Sequence, residues 1–456
     1  MANFMKRVIF LFYHGQGHVI AFSKIAKILQ AANSEVYFAG SGYFRPLVSH
    51  LGFKFYLLKT VPFGMGLETW VNAINKKRRV YFSALRDRIT DKVFSDREVE
   101  IYWMLEELKP EIILLDALQA TDFIVLYPYL ASRGIKVGMI NSMLPLQVLR
   151  RHPPLNSDIF SEDERMVEKA IRTMLWNSLK KSWKSKLIHL GFDDSLIVKR
   201  RIKKNGVPNR YISRIPNLLN FAVADVCEFI LAPREFDFPG YEPQPKQFYV
   251  GFMTDETRNE VIEDDYRKTA KQILALKKNE ALKFIYCSFG TIAPKQANII
   301  SAVVKKLISV AAHENHILLI SLKAANELVT SFPTSKNIHI FSSVPQLEVL
   351  KHADLFIGHG GLNSIKEAIY AEVPMLLYPI HQEYDPRGNA ARAVYHGLGL
   401  RGNAAAESIE HLRLNINELL SNPSYKKNIQ KLKREDAQYT GEKFLERFNT
   451  ITPIST

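Results

Sequence analysis

The sequence predicts an α/β protein built as two parallel-sheet domains. Three observations carry that expectation. Short apolar runs of strand length alternate with longer amphipathic stretches, the rhythm of parallel sheets covered by helices on both faces. The 456 residues exceed what one ordinary core accommodates. A segment dense in Pro and Gly, FDFPGYEPQPKQ at 236–247, parts the chain into two nearly equal halves that open into the same rhythm.

The elements follow in order. VIFLFY at 8–13 is too short an apolar run for a secretory core and leads into a glycine loop, so it is expected as the first strand and not as a signal peptide. The loop GQGH precedes a helical pattern at 21–32. Further strands are expected at 36–39, 112–115, 136–140 and 229–231. The stretch 150–214 breaks the rhythm as a basic helical insertion. After the linker come strands at 284–288, 317–321, 338–341, 355–357 and 375–378, with helices at 297–313 and 364–371. The expected division is an N-terminal domain 1–237, a linker 238–250 and a C-terminal domain 251–456. The last helical pattern, 437–448, is expected to pack back on the first domain.

Composition places the chain among globular proteins, with 47% hydrophobic and 23% charged residues. No apolar run approaches the length of a membrane-spanning helix. The two cysteines, Cys227 and Cys287, offer no disulfide framework, so a reducing cytoplasm is the expected location. The net charge of +15 is concentrated in 150–214, in KKSWKSK and KRRIKKNGVPNRY. Such a run is ordinarily a solvated helix face; as a binding surface it would take an anionic partner. No nucleic-acid motif accompanies it. Nucleic acid is therefore not expected, and peripheral contact with an anionic membrane is the partner retained. His313 and His316 lack a zinc-type ligand set, and no metal site is expected.

The most informative stretch is GHGGLNSIKEA at 358–368, where a strand gives way to a helix. Free backbone N–H groups at a helix start favour an anion. Gly360 and Gly361 let a ligand approach the backbone. Asn363 and Ser364 are expected as caps or phosphate donors. Glu367 shares a face with Asn363 and would repel phosphate, so it suits a neutral diol. The pattern suggests a nucleotide with its diphosphate at the helix mouth and its ribose farther along.

With these residues in view, the sequence resembles the UDP-glycosyltransferase superfamily: inverting enzymes of the GT-B fold, two Rossmann-like domains facing a central cleft. The resemblance lies nearest to bacterial small-molecule, macrolide or zeaxanthin glycosyltransferases. It is carried by SVPQLEVLKHADLFIGHGGLNSIKEAIYAEVPMLLYP (343–379), DPRGNAARAVYHGLG (385–399), YCSFGT (286–291) and GQGHVIAFSKIAKIL (15–29). It implies transfer of a hexose, from UDP-glucose or a similar donor, to a hydroxyl of a small acceptor, with no cofactor and no metal beyond the nucleotide-sugar co-substrate. It implies His18 as general base, oriented by Asp116. His359, Gly361, Asn363 and Ser364 would hold the diphosphate, and Ser288, Gly290 and Thr291 its other side. Pro345 and Gln346 would border the base, Glu367 the ribose, and Asp385 the transferred sugar.

Residue type alone leaves His14 as a rival to His18 and Asp122 as a rival to Asp116. The chain departs from the family at Pro386, where a Gln usually follows the Asp, with Gln382 or Glu383 as substitutes for it. It departs again at Val344 in place of a Trp and at Glu372 in place of a Gly. The aromatics Phe63, Trp70, Tyr81, Phe82, Trp176 and Trp183 are candidates for an apolar acceptor pocket. A dinucleotide-binding reading of GQGH lacks the third glycine, since Ile20 stands there. The non-enzyme alternative is a degenerate GT-B protein that binds or activates another enzyme.

Overall fold

A computed structural model of the chain describes residues 6–64, 80–219, 221–260, 262–290, 296–380 and 384–454. It contains two sheets. The first orders its strands β3-β2-β1-β4-β5-β6-β7, with β1 at Lys6–Leu11, β2 at Ser34–Gly40, β3 at Lys54–Leu57, β4 at Ile112–Asp116, β5 at Lys136–Asn141, β6 at Glu228–Ile230 and β7 at Gln247–Tyr249. The second is ordered β10-β9-β8-β11-β12-β13, with β8 at Phe284–Ser288, β9 at Ile317–Ser321, β10 at Ile338–Phe341, β11 at Leu355–Gly358, β12 at Met375–Leu377 and β13 at Gly399–Arg401. Neighbouring strands run parallel throughout. Every residue of β4, β8, β9 and β11 is buried. Continuous Ile, Leu and Phe runs belong in such positions, because helices cover both faces.

In each sheet the strand order reverses once, between β1 and β4 and between β8 and β11. At such a switch point the flanking connections leave to opposite faces and open a crevice beyond the strand ends. The loops after β1, β4, β8 and β11 therefore define where a ligand belongs.

Several boundaries differ from expectation for local reasons. The helix expected at 21–32 spans Gln16–Ala31. Gly15 is its N-cap, so Gln16, Gly17 and His18 form its first turn and not a loop. β3, β7 and β13 are short, and the last two lie in Pro- or Gly-rich sequence that masks a strand pattern. The end of the expected linker, Gln247–Tyr249, completes the first sheet by pairing with β6. The insertion folds into the helices Glu164–Ile188 and Asp194–Lys204. The C-terminal helix Gly441–Phe448 lies on the first domain: Phe444 and Phe448 are buried beside Phe229, with ring centroids 5.4 and 6.5 Å away. Each such ring contributes about 2–3 kcal/mol by burial.

The halves are joined by an apolar seam in which Leu144 and Leu155 meet Phe236, Leu362 and Ala390. A buried charged node lies beside it. The Arg392 guanidinium donates to Asp237 (2.7 Å) and to His152 Nε2 (2.9 Å), and Tyr249 donates to the same carboxylate (2.7 Å). Burial opposes ionisation of Asp237, yet the Arg392 charge, with the Tyr249 hydrogen bond, holds it well below the usual carboxylate range. Gly388 reports how close the halves come, since a Cβ there would stand 2.0 Å from the Leu155 carbonyl oxygen. Alanine gains roughly 1 kcal/mol of helix propensity over glycine, but overpacking against backbone costs about 1–3 kcal/mol. Gly388→Ala is therefore expected to lower the thermal unfolding midpoint. An unchanged or higher midpoint would show that the seam yields freely.

Candidate functional site

The residues at the two switch points converge across the cleft. From β1 the chain turns through Tyr13, His14 and Gly15 into the helix carrying His18. His18 Nδ1 lies 2.7 Å from Asp116 Oδ2, at the end of β4, and 3.1 Å from Ser142 Oγ, just past β5. Asp116 is fixed from behind: the Tyr13 N–H donates to Oδ2 (3.1 Å) and the Leu118 N–H to Oδ1 (3.0 Å). Its side chain is 1% exposed and that of His18 is 13% exposed. Burial pulls the His18 pKa down. The Asp116 charge and hydrogen bond, joined by the Asp385 charge from the other domain, outweigh it and hold the imidazole above the usual histidine value.

The rivals separate cleanly. His14 lies edge-on to Phe44 at 5.0 Å, and burial with the Arg97 charge lowers its pKa. Asp122 is held by Arg97 at 2.6 and 3.1 Å and by Gln119 at 2.7 Å, a buried structural pair.

On the facing side, β8 ends at Ser288 and β11 at Gly358, which are paired in register. The His359 ring lies between two glycines. A Cβ on Gly290 (φ +76°) would come 2.5 Å from its Cε1, and one on Gly361 would come 2.7 Å from its Nε2. Gly361 also caps the helix Leu362–Tyr370, without a side-chain bond. The expectation that Asn363 or Ser364 caps this helix is therefore corrected. Asn363 Nδ2 instead donates across the cleft to the Gly17 carbonyl (2.7 Å), which brings the N-terminal ends of the two helices face to face. The free N–H groups of a helix mouth stabilise negative charge placed before it.

Pro345 leads into the short helix Gln346–Leu350. The Gln346 amide is already engaged, donating to Ser364 Oγ (3.2 Å) and Glu367 Oε2 (2.7 Å) and accepting from Tyr286 (3.2 Å). Glu367 is 2% exposed, and its other oxygen takes Arg258 Nη1 at 2.5 Å. Arg258 also donates to Glu260 (2.7 Å), which accepts from the Leu347 N–H (2.9 Å). Asp385 precedes the helix Pro386–Tyr395 and accepts from Asn389 Nδ2 (2.7 Å), which also donates to the Gly360 carbonyl (3.1 Å). Thr291, Gln382, Glu383 and Trp70 lie outside the described residues.

Sequence reasoning missed Ser142 and Arg258. Ser142 follows β5, whose Ile140 pairs with Asp116, so adjacency of parallel strand ends is the signal that finds it. Nothing local marks Arg258. Of the aromatics expected to line a pocket, Phe63 is core, 5.0 Å from Phe94, and Tyr81, Phe82, Trp176 and Trp183 are exposed. Among the described residues no group of three or more His, Cys, Asp or Glu is arranged to hold a metal ion. No described helix is long and apolar enough to cross a membrane.

Comparison with known proteins finds relatives among glycosyltransferases. Residues 323–437 match the family model of UDP-glucoronosyl and UDP-glucosyl transferase. The NDP-glycosyltransferase YjiC of Bacillus subtilis is 52% identical over 64 residues, 14% of this chain and 16% of that protein. A UDP-glucuronosyltransferase of Pleuronectes platessa is 36% identical over 96 residues, 21% of this chain and 20% of that one. The Caenorhabditis elegans protein ugt-50, named for UDP-glucuronosyltransferase, is 26% identical over 236 residues, 48% of this chain and 40% of that one. The matches thus span less than half the length of these relatives. Among solved structures, the glycotransferase of kitacinnamycin superposes with a TM-score of 0.67 at 17% identity, covering 97% of this chain and 99% of its own. The calicheamicin glycosyltransferase CalG4 does so at 0.63 and 14%, covering 98% and 97%. These likenesses establish the GT-B arrangement of the two domains.

Proposed function

We propose that this chain, whose residues 323–437 match the family model of UDP-glucoronosyl and UDP-glucosyl transferase, transfers a hexose from a nucleotide sugar, UDP-glucose or a close analogue, to a hydroxyl of a small hydrophobic acceptor. His18 Nε2 takes the hydroxyl proton, since an alcohol is a poor nucleophile until a base relieves it. Asp116 accepts from Nδ1, which fixes the tautomer and stabilises the imidazolium. The acceptor oxygen bonds to the anomeric carbon as the bond to the diphosphate oxygen breaks on the opposite face, so the configuration inverts. The departing diphosphate gains negative charge. The mouth of the helix Leu362–Tyr370, His359 and Ser364 meet it from one side, and Ser288, Gly290 and Thr291 from the other. This reading assigns that work to protein groups and needs no metal. Gln346 and Pro345 border the base, Glu367 takes the ribose diol, and Asp385 takes hydroxyls of the sugar. The basic insertion, 150–214, meets anionic lipid and makes the protein membrane-peripheral on the cytoplasmic side.

The observation that supports this reading best is the buried His18–Asp116 pair with the charge of Asp385 reaching it from the other domain. A base on one wall and a sugar-binding carboxylate on the other are what an in-line glycosyl transfer requires. The test mixes pure protein with a panel of nucleotide sugars and phenolic or alcohol acceptors, and follows release of nucleoside diphosphate. Acceptor-dependent release is expected. Donor binding without release across the panel rejects the transferase in favour of the degenerate partner protein.

A further inference from the structure

We infer that the solvent face of the helix Glu164–Ile188 is a wedge that inserts into the headgroup region of an anionic bilayer. This rests on the membrane contact proposed for the basic insertion, and adds the residues and the mode of binding. Only Val167 is buried along these 25 residues. Ile171, Met174, Ser182 and Ser185 are half-buried and share the face turned to the protein. Trp176, Leu179, Trp183 and Leu187 recur three or four residues apart on the opposite face, each more than half exposed, with Leu187 at 76%. A surface helix ordinarily buries its apolar stripe and exposes its polar side. Here Ser182 and Ser185 share the protein face with Val167, Ile171 and Met174, and a second apolar stripe of tryptophans and leucines faces solvent.

The flanking charge selects the occupant. No carboxylate occurs from residue 169 to 190. Lys180 and Lys184 border the stripe on one edge and Lys186 on the other. Lys180 Nζ lies 5.2 Å from the Trp176 ring and Lys186 Nζ 5.7 Å from the Trp183 ring. Lysines are depleted from the cores of protein interfaces. Tryptophan with snorkelling lysine is the chemistry of a bilayer surface, with rings at headgroup level, aliphatic stems along the apolar side and ammonium groups among lipid phosphates. The patch continues onto the helix Val80–Ile89: the Tyr81 hydroxyl donates to the Ile188 carbonyl, and Phe82 (64%) and Leu190 (68%) are exposed.

The patch is also tied to the acceptor side of the cleft. Arg88, on the same helix as Tyr81, donates to the Phe192 carbonyl (3.2 Å) and to Asp194 (2.7 Å) and covers the Phe63 ring at 5.2 Å. The Phe63 carbonyl accepts from Thr121 (2.8 Å), which opens the helix following Asp116. Docking by this face would bring a bilayer-resident amphiphile to the domain that carries His18.

The test floats the purified full chain with vesicles of phosphatidylcholine, with or without phosphatidylglycerol, at about 0.1 M and about 0.5 M salt. Binding to the anionic vesicles alone is expected. It should fall about tenfold when Trp176, Leu179, Trp183 and Leu187 are all replaced by alanine, with an unchanged thermal melt as the fold control. Brominated lipid should quench the tryptophan emission of the wild type, and this quenching should vanish in a Trp176→Phe/Trp183→Phe protein. Binding that salt abolishes but the alanine and phenylalanine variants leave intact would overturn the wedge and leave charge adsorption standing. No vesicle binding would overturn both, and so would a stripe-dependent dimer by light scattering in place of vesicle binding. Because flotation needs no turnover, these outcomes are independent of the transferase reading.

Discussion

Replacing His18 by alanine is expected to lower kcat about 10³-fold while leaving donor affinity nearly unchanged. The magnitude is that of a positioned general base acting on an unactivated hydroxyl, and the selectivity follows from the proposed donor contacts, which all belong to the other domain. Asp116→Asn should cost a similar factor, because Nδ1 loses its carboxylate partner and the tautomer is no longer fixed. It should also move the pH profile. The base works only when neutral, so log(kcat/KM) rises with pH through the His18 pKa and levels above it. In the wild type that limb is expected above the usual histidine value, since Asp116 and Asp385 together outweigh the downward pull of burial. Asp116→Asn removes both the charge and the hydrogen bond of the carboxylate, so the limb moves to lower pH as the plateau falls. Asp385→Asn removes a charge alone and moves it less. The asparagine turns an amide N–H₂ toward one of the N–H groups that Asp116 now accepts from, costing about 1–3 kcal/mol of stability. Rates are therefore compared below the melting transition. A limb that stays in place in Asp116→Asn means that His18 is not the titrating group.

The fold was readable where residues answer to their own periodicity. Phe284–Ser288 and Ile317–Ser321 are buried strands whose runs admit no other element of that length, Ile338–Phe341 is a half-buried edge strand, and the helix Ala297–His313 carries its own apolar stripe. Pairing of distant residues was not readable. The start of the helix bearing His18 was hidden by Gly15 and Gly17, poor helix formers; a Cβ on Gly17 would stand 3.3 Å from Asn363 Nδ2 of the facing helix. Asn363 had the composition of a cap, but its partner is a carbonyl 346 residues away. Glu372 shows the same logic from the other side. The position has φ +61°, a conformation that favours glycine, and the glutamate there is held by Gln430 (2.8 Å) and Lys433 (2.9 Å). Tertiary bonds to the helix Ser424–Asp436 offset a local penalty of about 1 kcal/mol, and no reading of the local motif could reveal them.

Arg258 is the residue on which this distinction has functional weight, and the second large effect is expected at its carboxylate partner. On the proposed role of Glu367 as ribose ligand, Glu367→Ala should lower kcat/KM about 10²–10³-fold, mainly through KM for the donor, the cost of two charge-assisted hydrogen bonds between a buried carboxylate and a diol. In the structure both Glu367 oxygens are taken, one by Arg258 and one by Gln346. A diol must displace at least one of them. Arg258 is the contact better able to leave, since Glu260 remains as its second partner and it sits on a segment gripped by the first domain, through Lys27 to Asp255 (2.8 Å) and His50 to the Asn259 carbonyl (3.1 Å). Arg258→Ala is therefore expected to tighten donor binding by about tenfold, the equivalent of one charge-assisted hydrogen bond no longer broken on entry. In the double variant that gain should disappear, because without Glu367 there is no contact to compete for. Calorimetric titration of nucleoside diphosphate and nucleotide sugar into the four proteins measures the cycle. Weaker donor binding in Arg258→Ala would make the arginine a donor ligand instead of a competitor, and additive effects in the double variant would disconnect it from the ribose carboxylate altogether.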